Sequence, residues 1–279
     1  MHKSTDQQLQ LIGVFDSGVG GLSVVRAIQA EMPEQPILYI ADQEHVPYGE
    51  RSLEEVRSFA HGISAHLIDQ GASLVVVACN TASAAALRFL RQTFPQTPFV
   101  GMEPAIKPAA LETHSSVIGV LATPATFEGE PYHALIDRFG RGVRIITDTC
   151  PDLVMEIEKG NLEGKATRRI LEKAILPMLE QGVDTLVLGC THYPFVFPLI
   201  REIAGGGLRI IDPAPAVARR TKDLLAQQTP EKEYQKYDLF SAATSKDPEA
   251  LAWSIDRLLH QKILVRQIYW QNTHIKVYD

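Results

Sequence analysis

Short apolar runs alternate with longer amphipathic stretches along most of this chain. That alternation restricts the fold more than any other feature. The runs cover residues 12–15, 37–40, 74–78, 117–122, 143–147, 186–189, 208–211 and 237–240. Each is short, rich in aliphatic and β-branched residues, and mostly apolar throughout, as strands buried on both faces are. Helix signals fall between them. Ser52 and Glu55 have capping-box spacing ahead of Val56, Phe59, Ile63 and Leu67, which recur on one helical face. Asp247 followed by Pro248 opens a further helix, with proline at its first position. A βαβα order of this kind predicts an α/β fold of mostly parallel sheet covered by helices.

The sequence echoes itself weakly. "SLVVVACNTASAA" and "DTLVLGCTHYPFV" each read as a strand, a cysteine, two polar residues and a helix. "IGVFDSGVGG" and "IGVLATPATF" each read as a strand entering a polar turn. Two matched pairs predict two pseudo-symmetric lobes with the site in the cleft between them. Residues 1–99 plus 213–279 form the first lobe and residues 100–212 the second, the chain crossing near 98–102 and 212–215. The tail from residue 260 to 279 has mixed polarity and receives no assignment.

Length and charge narrow the function. A chain of 279 residues can build one large or two small cores. A net charge of −6 offers no basic field for nucleic acid. No apolar run is long enough to span a bilayer, and the polar start MHKSTDQQLQ lacks a signal-peptide core, so a cytoplasmic protein without membrane contact is expected. Three scattered cysteines make no disulfide framework and no C-x-x-C zinc pairing.

Cys79 and Cys190 each end a buried strand, where ligands of open α/β sheets bind. A thiol at a helix N-terminus also has its pKa lowered from about 8.5. One such cysteine reads as a small buried hydrophobe. Two in the same context, one per half, read as chemistry. Cys150, before Pro151 in a loop, reads as structural. Asn80 and Thr81 beside the first thiol, and Thr191 and His192 beside the second, suit both helix capping and carboxylate binding. His192 can exchange protons with Cys190 or with a substrate.

The turn Asp16-Ser17-Gly18-Val19-Gly20-Gly21 follows the first strand. Its glycines let backbone approach a ligand, and Asp16 can hold an ammonium group or orient a base. Gly18, Gly20 and Asp42 also mimic a dinucleotide-binding fingerprint, which keeps a nucleotide-dependent oxidoreductase open. Ser23 at the third glycine position and Asp16 where pyrophosphate would arrive count against it. His45, Pro47, Tyr48, Gly49 and Ser52 form a polar loop expected to face the same cleft. His61 and His66 read as packing residues within a helix. Glu103-Pro104-Ala105 reads as a helix cap or hinge.

The ordered motifs "GVFDSGVGGLSV", "PYGERS", "VVACNTASA", "EPAIKPA", "LATPAT", "LVLGCTHYPF" and "DPA" resemble the glutamate racemases of the aspartate/glutamate racemase family over nearly the whole length. The resemblance implies a cofactor-independent isomerase with no metal that supplies D-glutamate for peptidoglycan, and hence for cell-wall biogenesis and cell shape. It implies that Cys79 takes the α-proton of D-glutamate and Cys190 that of L-glutamate, assisted by Asp16 and His192. It implies substrate contacts from Asp16, Ser17, Pro47, Tyr48, Gly49, Asn80, Thr81, Thr123, Thr191 and His192. Glu158, in "VMEIEKG", matches an acidic position near the site. An aspartate racemase and a non-catalytic amino-acid-binding protein stay open beside this reading. A homodimer stays open as the assembly.

Overall fold

The computed structural model describes residues 10–228 and 237–277. Most of the polar amino-terminal stretch, residues 1–9, and the last two residues of the tail lie outside the described residues.

Eleven strands among the described residues build two sheets. The first has the order β11-β10-β9-β2-β1-β3-β4 and the second β6-β5-β7-β8. Here β1 is Leu11–Asp16, β2 Ile37–Ala41, β3 Ala72–Val77 and β4 Phe99–Gly101. The second sheet holds β5 at Val117–Ala122, β6 at Arg144–Asp148, β7 at Thr185–Gly189 and β8 at Arg209–Ile211. β9 at Phe240–Thr244, β10 at Val265–Gln271 and β11 at His274–Val277 return to the first sheet. All pairings are parallel except β10 with β11. β1 lies between β2 and β3, and β5 lies between β6 and β7 in the same way. The two echoes read from the sequence fall on these equivalent strands, β1 with β5 and β3 with β7.

The expected helices form where their caps stand. Ser52 and Glu55 close a reciprocal capping box on the helix Leu53–Asp69, whose Val56, Ala60, Ile63 and Leu67 are buried. Asp247 accepts from the backbone N–H groups of Glu249 and Ala250 at the start of Pro248–Leu259. One apolar core joins both sheets, running from Ile12, Val14 and Leu74 to Leu186, Leu188 and Leu199. Cys150 is buried within it. His61 stacks on Phe94, a packing role. Glu103 is exposed and does not cap; the helix Ile106–Glu112 begins at Ala105 without a side-chain cap.

Three readings change. The run at 237–240 precedes its strand, because pairing begins where Ile37 of β2 meets Phe240. The unassigned tail supplies β10 and β11, which turn at Asn272 with φ 57°. The chain after Cys190 enters a short 3-10 turn, Tyr193–Val196, before the helix Phe197–Ala204. Pro194 and Pro198 cause this. Each can sit only in a first helical turn, since Pro198 lacks the N–H that would bond to Pro194 and its ring would clash there.

Asp184 pins the second sheet to the turn before β5. Its carboxylate accepts from Thr113 Oγ1 at 2.6 Å, His114 N at 2.7 Å, Ser115 N at 2.7 Å and Thr185 Oγ1 at 2.9 Å. Partial burial opposes ionisation, but these donors hold the carboxyl well below the usual carboxylate range. A depressed folded pKa stabilises above the unfolded value of about 3.9, and that contribution fades as pH falls toward the folded value. Asp184→Ala should therefore cost roughly 2 kcal/mol at pH 7 in urea unfolding. Its deficit should narrow below about pH 4. A deficit that stays constant from neutral to acid pH would contradict this assignment.

Candidate active site

The carboxyl ends of β1, β2, β3, β5 and β7 converge on one small cavity. Its walls are Ser17, Pro47, Tyr48, Gly49, Cys79, Asn80, Thr81, Thr123, Val154, Gly189, Cys190, Thr191 and His192. Every residue expected to do the chemistry or contact the substrate is in this lining except Asp16. Val154 and Gly189 were not anticipated. Val154 sits beside Leu153 in a short helix whose buried positions, Leu153 and Ile157, read simply as core. His45 and Ser52 do not line the cavity: His45 stacks on Phe59, and Ser52 caps its helix.

Cys79 is the N-cap of the helix Asn80–Thr93, and its Sγ accepts from Ala82 N at 3.5 Å. Burial still pushes this thiol well up, with the charge of Asp16 acting in the same direction against the helix N–H groups. The expected helix-terminal activation is thus outweighed at Cys79, which rests as the protonated thiol. Cys190 has a different neighbour. Its Sγ lies 3.8 Å from His192 Nδ1, and His192 Nε2 lies 2.6 Å from Glu158 Oε1. Burial disfavours the imidazolium, but Cys190 and Glu158 on its two sides raise the His192 pKa well above the ordinary value. Burial likewise opposes ionised Glu158. The bond and charge of His192, with Val19 N and Gln43, hold its carboxyl below the usual range. An imidazole held between one sulfur and one carboxylate oxygen is placed to exchange a proton with the thiol.

Asp16 is wholly buried behind the wall, with its carboxyl pKa raised chiefly by burial. It accepts from Gly18 N and from Thr191 Oγ1, both at 3.1 Å, the second across the two sheets. Asn80 is 3% exposed, and among the described residues neither atom of its side-chain amide has a partner. A buried amide facing a cavity without protein partners is available to a ligand.

The glycines of the first turn let the backbone approach side chains of the second lobe. A Cβ on Gly18 would lie 2.0 Å from Glu158 Oε1, and one on Gly20 would lie 2.4 Å from His192 Nδ1. The backbone there approaches the second lobe's side chains. Ser23, where a dinucleotide fold wants a third glycine, donates from Oγ to Gly20 O at 2.8 Å and lies 3.0 Å from Thr191 O. Asp42 is committed too, accepting from Tyr48 Oη at 2.6 Å, Ser245 Oγ at 2.8 Å and Trp270 Nε1 at 2.8 Å. A carboxylate so occupied is not placed to hold a ribose.

The cavity has a volume of about 20 Å³. That is room for one water molecule and not for an amino acid. Contacts across the sheets keep it shut, among them Thr81 Oγ1 with Thr123 Oγ1 at 2.9 Å and Val19 N with Glu158 Oε1 at 2.7 Å. A ligand enters only when these part. A wider cleft of about 400 Å³ lies alongside, lined by Arg57, Arg88, Arg91 and Tyr132 among others. It touches neither cysteine, so thiol chemistry belongs to the smaller cavity.

Two thiols on the walls contributed by different sheets can remove a proton from one face of a carbon and return one to the other, the chemistry of an isomerase acting at a stereocentre. The family model described as Asp/Glu/Hydantoin racemase matches residues 22–221. The chain belongs to this aspartate, glutamate and hydantoin racemase family. It is 48% identical over 255 residues to the glutamate racemase of Roseiflexus sp. strain RS-1, covering 91% of this chain and 94% of that one. Against the glutamate racemase of Pseudomonas aeruginosa strain PAO1 it is 52% identical over 215 residues, 77% of this chain and 81% of the relative. The Escherichia coli glutamate racemase, solved with L-glutamate and the activator UDP-MurNAc-Ala, superposes with a TM-score of 0.85 at 32% identity. That match covers 95% of this chain and 100% of the other. A Bacillus anthracis glutamate racemase superposes with a TM-score of 0.81 at 30% identity, covering 96% and 100%.

Proposed function

We propose that this chain interconverts L- and D-glutamate without a cofactor, by two-base proton transfer at Cα through Cys79 and Cys190. The observation that carries the reading is that the two thiols line one cavity from different sheets, each with its own acid–base neighbour. Cys79, coupled to Asp16, takes the α-proton of D-glutamate. Cys190, paired with His192 and through it with Glu158, takes that of L-glutamate. In either direction one sulfur is ionised and the other protonated, and they exchange states with the enantiomer. Ser17, Pro47, Tyr48, Gly49, Asn80, Thr81, Thr123 and Thr191 contact the substrate, and their place on the cavity wall supports this. The unpartnered amide of Asn80 and the N–H groups at the start of its helix suit a carboxylate. Closing the lobes over the substrate removes water and strengthens those donors as charge develops at Cα and the carboxylate.

Residues 1–99 with 213–279 make the first lobe and 100–212 the second. Sheet membership supports that division, with Val100 and Gly101 at the boundary completing the first sheet. The relatives' activity supports glutamate as substrate and a cytoplasmic role in supplying D-glutamate for peptidoglycan. No helix among the described residues is long and apolar enough to cross a membrane.

L-Glutamate incubated in D2O with chelator-treated enzyme should lose its α-proton NMR signal and yield the D-enantiomer, without added pyridoxal phosphate or NAD. A strict need for either, or loss of activity on chelation, would refute the reading. Aspartate should be turned over with kcat/KM lower by roughly tenfold or more, because a shorter side chain leaves polar groups of the site unpaired. Equal efficiency on both acids would point instead to a broader racemase.

A further inference from the structure

Gln43 follows Asp42, two residues past the end of β2, and is 8% exposed. It does not line the cavity. Its Nε2 donates to Glu158 Oε2 at 3.2 Å, and its Oε1 accepts from Thr244 Oγ1 at 2.9 Å. Thr244 closes β9 and is wholly buried. Its hydroxyl also accepts from Lys246 N at 3.3 Å, which directs its single hydrogen to Gln43. The amide is therefore read one way round. Flipped, it would set an oxygen against the Glu158 carboxylate.

Both oxygens of Glu158 are thus held from the first lobe, Oε1 by Val19 N and Oε2 by Gln43, while Oε1 also meets His192 of the second. Among the described residues, Asp16 and Tyr39 also sense the charge of this carboxylate. A rigid acceptor behind Nε2 fixes the ring orientation, and the ring orientation decides whether Nδ1 points at Cys190.

We propose that Gln43 is a positioning residue: with Thr244 behind it, its amide holds Glu158 in line with His192, so that closing the lobes completes the acid–base arm of Cys190 and leaves that of Cys79 untouched. This rests on the assignment of Cys190, His192 and Glu158 to L-glutamate.

The test reads the two thiols separately. In a glutamate carrying chloride at Cβ, loss of the α-proton to the enzyme forms the Cα=Cβ bond and expels chloride. The resulting enamine hydrolyses to ammonia and a 2-oxo acid, and no reprotonation by the second thiol is needed. Gln43→Met, similar in length but without a donor, should lower kcat for elimination from the L-series analogue roughly tenfold or more. Elimination from the D-series should stay within about twofold of the parent. Thr244→Val, which frees the amide to turn, should give a loss in the same direction.

Gln43→Glu adds a pH signature. Two facing carboxyls share a proton at low pH, and that proton restores the missing bond. Its L-series elimination should then fall off at lower pH than the parent's, with the D-series profile unmoved. Equal losses in both series, or no loss in either, would overturn the proposal. So would an unshifted profile for Gln43→Glu. Retention of L-series elimination by Cys190→Ala in the same assay would instead overturn the underlying assignment of the thiols.

Discussion

Cys190→Ala and Cys79→Ala should each lose racemisation by about a thousandfold or more, because one face of Cα then lacks the group that delivers or receives the proton. Each should keep one half of the chemistry. With a β-chloro analogue of glutamate, Cys190→Ala should eliminate chloride only from the D-series and Cys79→Ala only from the L-series. Cys150→Ala should racemise normally, since its thiol packs in the core among apolar side chains. Cys79 loses its proton against burial and the charge of Asp16, so elimination through Cys79 in the Cys190→Ala variant should rise into the alkaline range. One variant processing both enantiomers, or an inactive but folded Cys150→Ala, would remove the two-cysteine assignment.

Gly20→Ala should cost about a hundredfold in kcat/KM with little loss of thermal stability. Gly20 is not at a positive φ, so alanine is sterically allowed by the backbone itself. The added carbon would meet His192 Nδ1 at 2.4 Å and Thr191 Oγ1 at 2.6 Å, both across the cleft. The lobes would have to stand apart to relieve it. A misplacement of about 1 Å at reacting groups commonly costs on the order of 100-fold. Folding should lose less, because each sheet keeps its own strands, and the lower unfolded-state freedom of alanine offsets part of what the shared core loses as the lobes part. Near-parental kcat/KM in a folded Gly20→Ala would show that close approach of this turn to His192 is not needed.

Much of this was legible beforehand, for identifiable reasons. Buried parallel strands announce themselves as continuous apolar runs, so β1, β2, β3, β5 and β7 stand out. Cysteines at the ends of β3 and β7 mark the cleft, because carboxyl ends of parallel strands are where such sheets bind ligands. The capping box at Ser52 and the N-cap at Asp247 are local chemistry and need no tertiary knowledge. β9 was misplaced because its small residues, Ser241, Ala242 and Ala243, carry little strand signal, and its partner β2 sets where it begins. β10 and β11 lie at the sheet's edge with mixed exposure, so no apolar run betrays them. The glycines at 18 and 20 were readable as a place of close approach, but what approaches comes from more than a hundred positions away. The same holds for Gln43, whose partners are Glu158 and Thr244. A hydrogen bond between distant segments leaves no periodicity in the chain.

The two thiols keep unlike company, and thermodynamics limits what that can mean. Mirror-image amino acids have the same free energy in water, so the ratio of kcat/KM in the two directions is fixed at one whatever surrounds either sulfur. The Asp16 side and the His192 side can therefore make kcat differ between enantiomers only if KM differs by the same factor. Any substitution on one side must slow both directions equally at low substrate. An inhibitor is under no such constraint. A compound that binds the resting arrangement of protons, Cys79 neutral and Cys190 beside a cation, meets an enzyme with handedness of its own, and should be bound preferentially as one mirror image.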